Sequence, residues 1–329
     1  MKPYLRLIRF PNLLIIIVTM LLVRYGLVQP LLQHLPGVLL GEKVVVPGLS
    51  LKMADWQFAL LIFSTVLITA AGYVINDYFD TRTDLINRPE RVIVGKNISR
   101  RATMALHLVL NILGVGAGIG LSFAIGFPFL GFIFFIVSGL LWFYSTTYKR
   151  QFLIGNLLVA FLTALVPFMV VLFEVPLLNK AYSTFLASNH ATWRPLIVWI
   201  GAFSVFAFLL TLIREIIKDM EDFEGDWSFG RSSLPVVLGM DTSRYVVVSL
   251  LGITIFLIIY VWCVSLKDTY TLIYGTLLLI IPLLWLIIKM IKARKPSDYH
   301  SASSLTKWIM LAGVLFIVLV RFLLTTLVK

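Results

Sequence analysis

Ten of the chain's 16 acidic residues fall in two short windows, Asp77 to Glu90 and Glu215 to Asp226. The first reads Asn76-Asp77-Tyr78-Phe79-Asp80-Thr81-Arg82-Thr83-Asp84. The second reads Lys218-Asp219-Met220-Glu221-Asp222-Phe223-Glu224-Gly225-Asp226. Both place Asp at i, i+3 and i+7, giving the triplets Asp77, Asp80, Asp84 and Asp219, Asp222, Asp226. On a helix that spacing puts three carboxylates on one face. Such a face repels itself unless a cation sits in it. Hard oxygen donors suit Mg²⁺, which binds through a few carboxylates together with waters and phosphate oxygens. The six aspartates are therefore candidate metal ligands and catalytic residues. A single Asp at a helix end would serve equally well as a cap or as the ion-pair partner of Arg82 or Arg88. Two matched triplets, in a chain whose other loops are basic, favour the functional reading.

The elements that must hold these triplets are apolar. Hydrophobic residues make up 60% of the 329 and charged residues 13%, against about 25% charged in a soluble domain. Mean hydropathy is +0.96. Continuous apolar runs of about 20 residues, the length that crosses a bilayer core, predict an all-α polytopic membrane protein. The runs place nine helices near 11–32, 56–77, 102–124, 127–147, 153–173, 196–218, 243–265, 271–291 and 305–327. The segments around 33–55 and 174–195 are mixed and are expected in the interface. No linker separates a second domain, so residues 1–329 read as one membrane-embedded unit. The apolar part of the N-terminus is too long for a signal peptide and is expected to be a retained first span.

The net charge of +12 resides at span ends, where topology signals and lipid contacts belong, and not on a nucleic-acid-binding face. The N-terminus and alternate loops carry 20 of the 28 Lys and Arg. The positive-inside rule then predicts a cell (cytoplasmic) membrane protein with its N-terminus in the cytoplasm and its C-terminus outside. Both acidic windows then lie on the cytoplasmic side, at the ends of the second and sixth helices. Corresponding aspartates are 142 residues apart, with four helices between. That predicts a parallel repeat, helices 1–4 and 5–8 with helix 9 additional, and two acidic sites facing one central cavity. Pro89, Gly95 and Ser99-Arg100 after the first window match Pro235, Gly239 and Ser243-Arg244 after the second. Both serines suit helix N-caps.

Other residues offer less. Cys263 stands alone, and His34, His107, His190 and His300 lack metal-ligand spacing. Gly114, Gly116, Gly118 and Gly120 overlap as GxxxG patterns and predict close helix packing. Arg24, inside the first span, is expected to snorkel. An ion-coupled transporter is the rival class, but transporters place their acidic residues near the midplane and not at span ends.

Asn76, Asp77, Asp80 and Asp84 match NDxxDxxxD, and Asp219, Asp222 and Asp226 match DxxDxxxD. In these motifs, and along the whole chain, the sequence resembles the UbiA-type superfamily of membrane prenyltransferases. The stretches Arg214–Asp226 and Leu85–Arg91, with Gly95 and Ile98-Ser99, are most similar to digeranylgeranylglyceryl phosphate synthases. Those enzymes carry prolines where this chain has Val92 and Val94. The resemblance implies Mg²⁺-dependent transfer of a polyprenyl group, geranylgeranyl in that subfamily, from its diphosphate to a lipid acceptor, geranylgeranylglyceryl phosphate. An aromatic acceptor, hydroxybenzoate or naphthoate, stays open because the motifs are shared. Arg88, Arg91, Lys218 and Arg231 are then candidates to grip phosphate oxygens. Lys149 is a further phosphate candidate, and Asn76, Tyr148, Asn156 and Arg214 complete the candidate substrate-binding set. Tyr78, Tyr144 and Tyr148 are the aromatic candidates for shielding an allylic cation.

Overall fold

Apolar runs that cannot leave backbone groups unpaired in lipid must become helices, and they do. The computed structural model describes residues 2–33, 49–87, 89–188, 190 and 192–326. Among these, nine helices are long and apolar enough to cross a membrane, and the protein is a multi-pass membrane protein. They are α1 (Phe10–Gln33), α2 (Asp55–Asn87), α3 (Arg100–Ala124), α4 (Pro128–Thr146), α5 (Ile154–Ser188), α6 (Arg194–Glu221), α7 (Met240–Leu266), α8 (Thr269–Lys292) and α9 (Pro296–Thr326). No strand occurs among the described residues beyond an isolated bridge between Val94 and Ile98.

α1 packs on α2, α5 and α9. α2 lies against α3 and α4, α5 runs beside α6, and α8 packs between α7 and α9. Every helix except α3 lends residues to the wall of one cavity. Lipid tails are as apolar as leucine, so helix association rests on close packing and interhelical hydrogen bonds. Gly114 and Gly118 show the packing. A Cβ on Gly114 would stand 2.8 Å from the Ile68 side chain, and one on Gly118 2.3 Å from the Phe134 ring. The Ser64 hydroxyl donates to the Gly114 carbonyl at 2.7 Å. Gly116 and Gly120 face open space.

Three expectations are corrected here. The fifth helix does not end near 173. It runs through Pro167 and Pro176 to Ser188, leaving helical geometry only at Tyr182. Neighbouring helices make such interior prolines tolerable in a membrane bundle. Ser99 caps α3, accepting from Ala102 N at 3.2 Å. Ser243 does not cap α7, which starts at Met240 behind Gly239 at φ +82°. The Ser243 hydroxyl instead donates to the Gly239 carbonyl at 2.8 Å.

Arg24 does not snorkel. It is 1% exposed and pairs with the fully buried Glu174 at 3.2 Å. Its guanidinium stacks over Phe58 and donates to the Met53 carbonyl. Glu174 also accepts from the Lys52 and Met53 amides. An isolated charge in this interior would be expensive. Paired and hydrogen-bonded, the two pin residues 52–53 to α1 and α5. α2 begins beside this pair at Asp55, so Asp77 lies 22 residues further along, roughly 33 Å at 1.5 Å per residue. Residues 34–48 of the expected interfacial segment 33–55, with His34, lie outside the described residues.

Candidate active site

The far end of α2 carries Asn76, Asp77, Asp80, Thr83 and Asp84 on an unbroken helix. The second triplet is not on one helix, contrary to the expectation from its spacing. α6 ends at Glu221, and Asp222 (φ −93°, ψ 11°) links it to the short helix Phe223–Ser228, which carries Asp226. Gly225 and the turn at Gly230 (φ +63°) lower the helical preference that would have continued α6. The turn brings Arg231 back, its amide donating to the Asp226 carbonyl at 2.9 Å.

Arg231 then joins the motifs. One guanidinium nitrogen donates to Asp80 at 2.8 Å and to Thr83 at 2.9 Å, and the other to Asp226 at 3.4 Å. Lys149 pairs with Asp80 and donates to Asn76 at 3.2 Å. It sits in the tight Tyr148–Arg150 turn between α4 and α5. Gly155 permits that turn, since a Cβ there would stand 3.0 Å from the Lys149 Cα. Asn156 donates to Asp219 at 2.7 Å. Glu215 accepts from Arg214 at 3.1 Å and from Lys218 at 2.7 Å.

Burial shapes the charges beyond the spans, the second of which ends at Thr81 although its helix continues. Burial, then the neighbouring Asp80 carboxylate, pushes Asp84 up to about 6. Burial also pushes Asp226 up, against the pull of Arg231. For Lys149 and Arg231 burial acts downward, but Asp80 outweighs it and holds both cations firmly protonated.

Asn76, all six aspartates, Lys149, Asn156, Arg214, Lys218 and Arg231 line one cavity of about 1220 Å³. This exceeds the roughly 300–1,000 Å³ of ordinary small-molecule pockets. Its polar groups gather at the motif end. The remainder is walled by apolar side chains such as Ile16, Ile68, Phe134, Phe203, Phe206 and Phe316. Tyr144 lines it too. Tyr148 is not among the lining residues and lies against Phe143. Tyr78 packs under Arg100 and beside Phe79 instead. Arg88 and the side chain of Arg91 lie outside the described residues. Val92 and Val94 are buried, Val94 in an apolar cluster with Leu7, Val74 and Ile98.

Sequence reasoning passed over Arg9, which looked like one more topology residue. It adopts the left-handed conformation (φ 51°, ψ 51°) where helix Lys2–Leu7 meets α1, a geometry costing roughly 1–2 kcal/mol without glycine. Its guanidinium reaches Asp77 at 2.9 Å and lies 4.8 Å from the Tyr73 ring centre. A non-glycine residue held at positive φ, with its side chain paired in the cavity, is the signal that only the structure supplies.

Among the described residues no group of three or more Asp, Glu, His or Cys forms a ready-made metal nest. The donor set nevertheless fits Mg²⁺, which needs only one or two carboxylates per ion when phosphate and water complete its shell. Among the described residues Arg9, Lys149 and Arg231 bond Asp77, Asp80 and Asp226.

A search against known families matches residues 31–311 to the UbiA prenyltransferase family. Digeranylgeranylglyceryl phosphate synthase of Methanothermobacter thermautotrophicus is 34% identical over 202 residues, 61% of this chain and 63% of that protein. The match thus spans under two thirds of that relative. A solved structure described as digeranylgeranylglyceryl phosphate synthase in membranes superposes with TM-score 0.60 and 24% identity, over 97% of this chain and 98% of that one. A UbiA homologue from Archaeoglobus fulgidus, bound to GPP and Mg²⁺, superposes with TM-score 0.55 and 16% identity, over 96% and 99%. These likenesses bear on the fold.

Proposed function

The chain belongs to the UbiA prenyltransferase family, and we propose that it transfers a polyprenyl group from its diphosphate to the free hydroxyl of a prenylglyceryl phosphate, forming an ether lipid. One observation carries the reading. Two aspartate motifs from distant parts of the chain meet at the polar end of a cavity whose remainder is apolar. A diphosphate with a long hydrocarbon tail has that same division. Digeranylgeranylglyceryl phosphate synthases among the relatives support the acceptor, and the homologue holding GPP with Mg²⁺ supports the donor and the ion.

In this reading Asp77, Asp80, Asp84, Asp219, Asp222 and Asp226 hold Mg²⁺, which supplies Lewis-acid stabilisation of the leaving diphosphate. Lys149 and Arg231 bind its oxygens directly, and Asn76 and Asn156 orient Lys149 and Asp219. The allylic C–O bond breaks with its electron pair passing to the diphosphate. The acceptor oxygen forms the new C–O bond, and its proton passes to the released diphosphate. Tyr144 and the phenylalanine walls keep water from the allylic cation and face it with aromatic rings. The Lys and Arg excess at the motif end supports a site on the cytoplasmic side of the cell membrane, with the N-terminus inside. The paired motifs at the ends of α2 and α6 support a parallel repeat of helices 1–4 and 5–8 within one domain, residues 1–329.

The test is an acceptor screen with purified protein, labelled geranylgeranyl diphosphate and Mg²⁺. The expected product has the mass of the donor's prenyl group joined to geranylgeranylglyceryl phosphate. Product formed only from hydroxybenzoate or naphthoate would overturn the acceptor. No Mg²⁺-dependent consumption of donor with any acceptor would overturn the transfer.

A further inference from the structure

The cavity holds two cationic groups of different character. At the aspartate motifs, Arg9, Lys149 and Arg231 are the cations bonded to the carboxylates among the described residues, and a diphosphate enters there with metal. Around Glu215 the balance is reversed. Arg214 and Lys218 both bond its carboxylate, and Arg9, paired with Asp77, lines the same cavity. Three cations stand with two carboxylates on this wall.

We propose that Arg9, Arg214 and Lys218, gathered around Glu215, form a second anion subsite that binds the phosphate monoester headgroup of the acceptor without a metal ion. The proposal rests on the transfer reading above and names the acceptor's chemistry in the same cavity. One cation would neutralise Glu215. Arg9 is already matched by Asp77, so Arg214 and Lys218 leave a surplus of +1 over Glu215, to which Arg6 and Lys307 on the same cavity wall add. Such an excess in a confined, largely apolar space is costly until an anion arrives. A phosphate monoester carries about −1.5 to −2 near pH 7, whereas an aromatic carboxylate offers −1. Arg214 and Lys218 keep about a quarter of their side chains exposed, 27% and 26%, and both line the cavity. Arg214 Nε is buried without a hydrogen-bond partner among the described residues, so its fork has a donor to spare. Arg6 and Lys307 line the same cavity and extend the positive field. Arg9 bonds Asp77 as well. It therefore stands between the subsites and sets the acceptor headgroup beside the donor's leaving group.

The experiment measures binding to the full-length protein in chelator, without donor. The probes are geranylgeranylglyceryl phosphate and its phosphate-free alcohol. Wild type should bind the phosphate at least about tenfold tighter than the alcohol, a preference of about 1.4 kcal/mol. Arg214→Gln and Lys218→Gln should each erase most of that preference. Glu215→Gln removes the opposing charge and should tighten phosphate binding, a sign that misfolding cannot mimic. No preference for the phosphate in wild type, a Mg²⁺ requirement for acceptor binding, or weaker binding in Glu215→Gln would each overturn the subsite. If the phosphate binds as described but no prenyl diphosphate does, the transfer reading fails and the subsite stands.

Discussion

Arg231 and Asp80 are separated by 151 residues, yet a guanidinium nitrogen of one lies 2.8 Å from a carboxylate oxygen of the other. Because Arg231 also reaches Asp226, a single side chain fixes the distance between the two motifs. That gives it a role in holding the motifs together besides the proposed one in binding the diphosphate. Arg231→Gln leaves two buried carboxylates short of a partner. Losing its charge-assisted bonds, about 1.5–3 kcal/mol each, should lower kcat/KM for the donor by roughly 10- to 100-fold. Arg231→Lys keeps the charge but loses the fork and should recover only part. Steady-state kinetics against donor concentration checks this, and a wild-type value in Arg231→Gln would show that the bridge is incidental.

Asp77→Asn and Asp219→Asn should each abolish prenyl transfer while leaving the fold intact. Each removes one negative donor from a hard-cation site and keeps the side chain's size. Asp219 is held by Asn156 and Asp77 by Arg9, and an amide can accept the same hydrogen bonds. Product formation and thermal unfolding, measured together, separate ligand loss from misfolding. Undiminished transfer in both variants would exclude these carboxylates as metal ligands.

The aspartate triplets and the nine spans were legible because both are local signals. Carboxylates at i, i+3, i+7 and apolar runs of about 20 residues need no knowledge of the rest of the chain. What escaped depends on tertiary partners. Glu174 looked like an interfacial residue because the acid that neutralises Arg24 lies 150 positions away. Arg9 looked like a topology residue because its reach to Asp77 depends on a left-handed backbone. The break at Asp222 escaped for a different reason. The i, i+3, i+7 spacing implied a continuous helix, whereas a linked second helix brings Asp226 to the same cavity.

The pH dependence follows from Asp84. Its carboxyl is pushed up to about 6 from an ordinary value of 3.8. Below pH 6 it holds a proton, and metal binding requires the carboxylate. Apparent Mg²⁺ affinity should therefore rise between about pH 5 and 7 and level off above. Metal-free stability should move the other way. The folded state holds a proton that the unfolded chain releases near 3.8, so this group's contribution falls as pH rises from about 4 to 6. Asp84→Asn should flatten both profiles relative to wild type. Mg²⁺ titrations and metal-free unfolding at matched pH values give the two slopes, and unchanged slopes in Asp84→Asn would assign the pH dependence elsewhere.

The buried pair at the other end of the bundle should govern stability and leave the chemistry alone. Arg24 and Glu174 lie roughly 30 Å from the aspartate motifs, and neither lines the cavity. Arg24→Gln leaves Glu174 with only backbone amides to balance its charge, and Glu174→Gln leaves Arg24 to the exposed Asp55 carboxylate at 3.5 Å and the Met53 carbonyl. Each should cost about 3–5 kcal/mol, while the KM for donor stays near that of wild type. The double variant Arg24→Met/Glu174→Met removes both charges and should be more stable than either single variant, because no unpaired charge remains buried. Part of the loss should persist, since the Lys52 and Met53 amides also lose their acceptor. Unfolding midpoints in detergent for the four proteins complete a double-mutant cycle. Strict additivity, with the double variant as weak as the two losses summed, would mean that the two residues act independently and that their 3.2 Å contact does not hold the ends of α1 and α5 together.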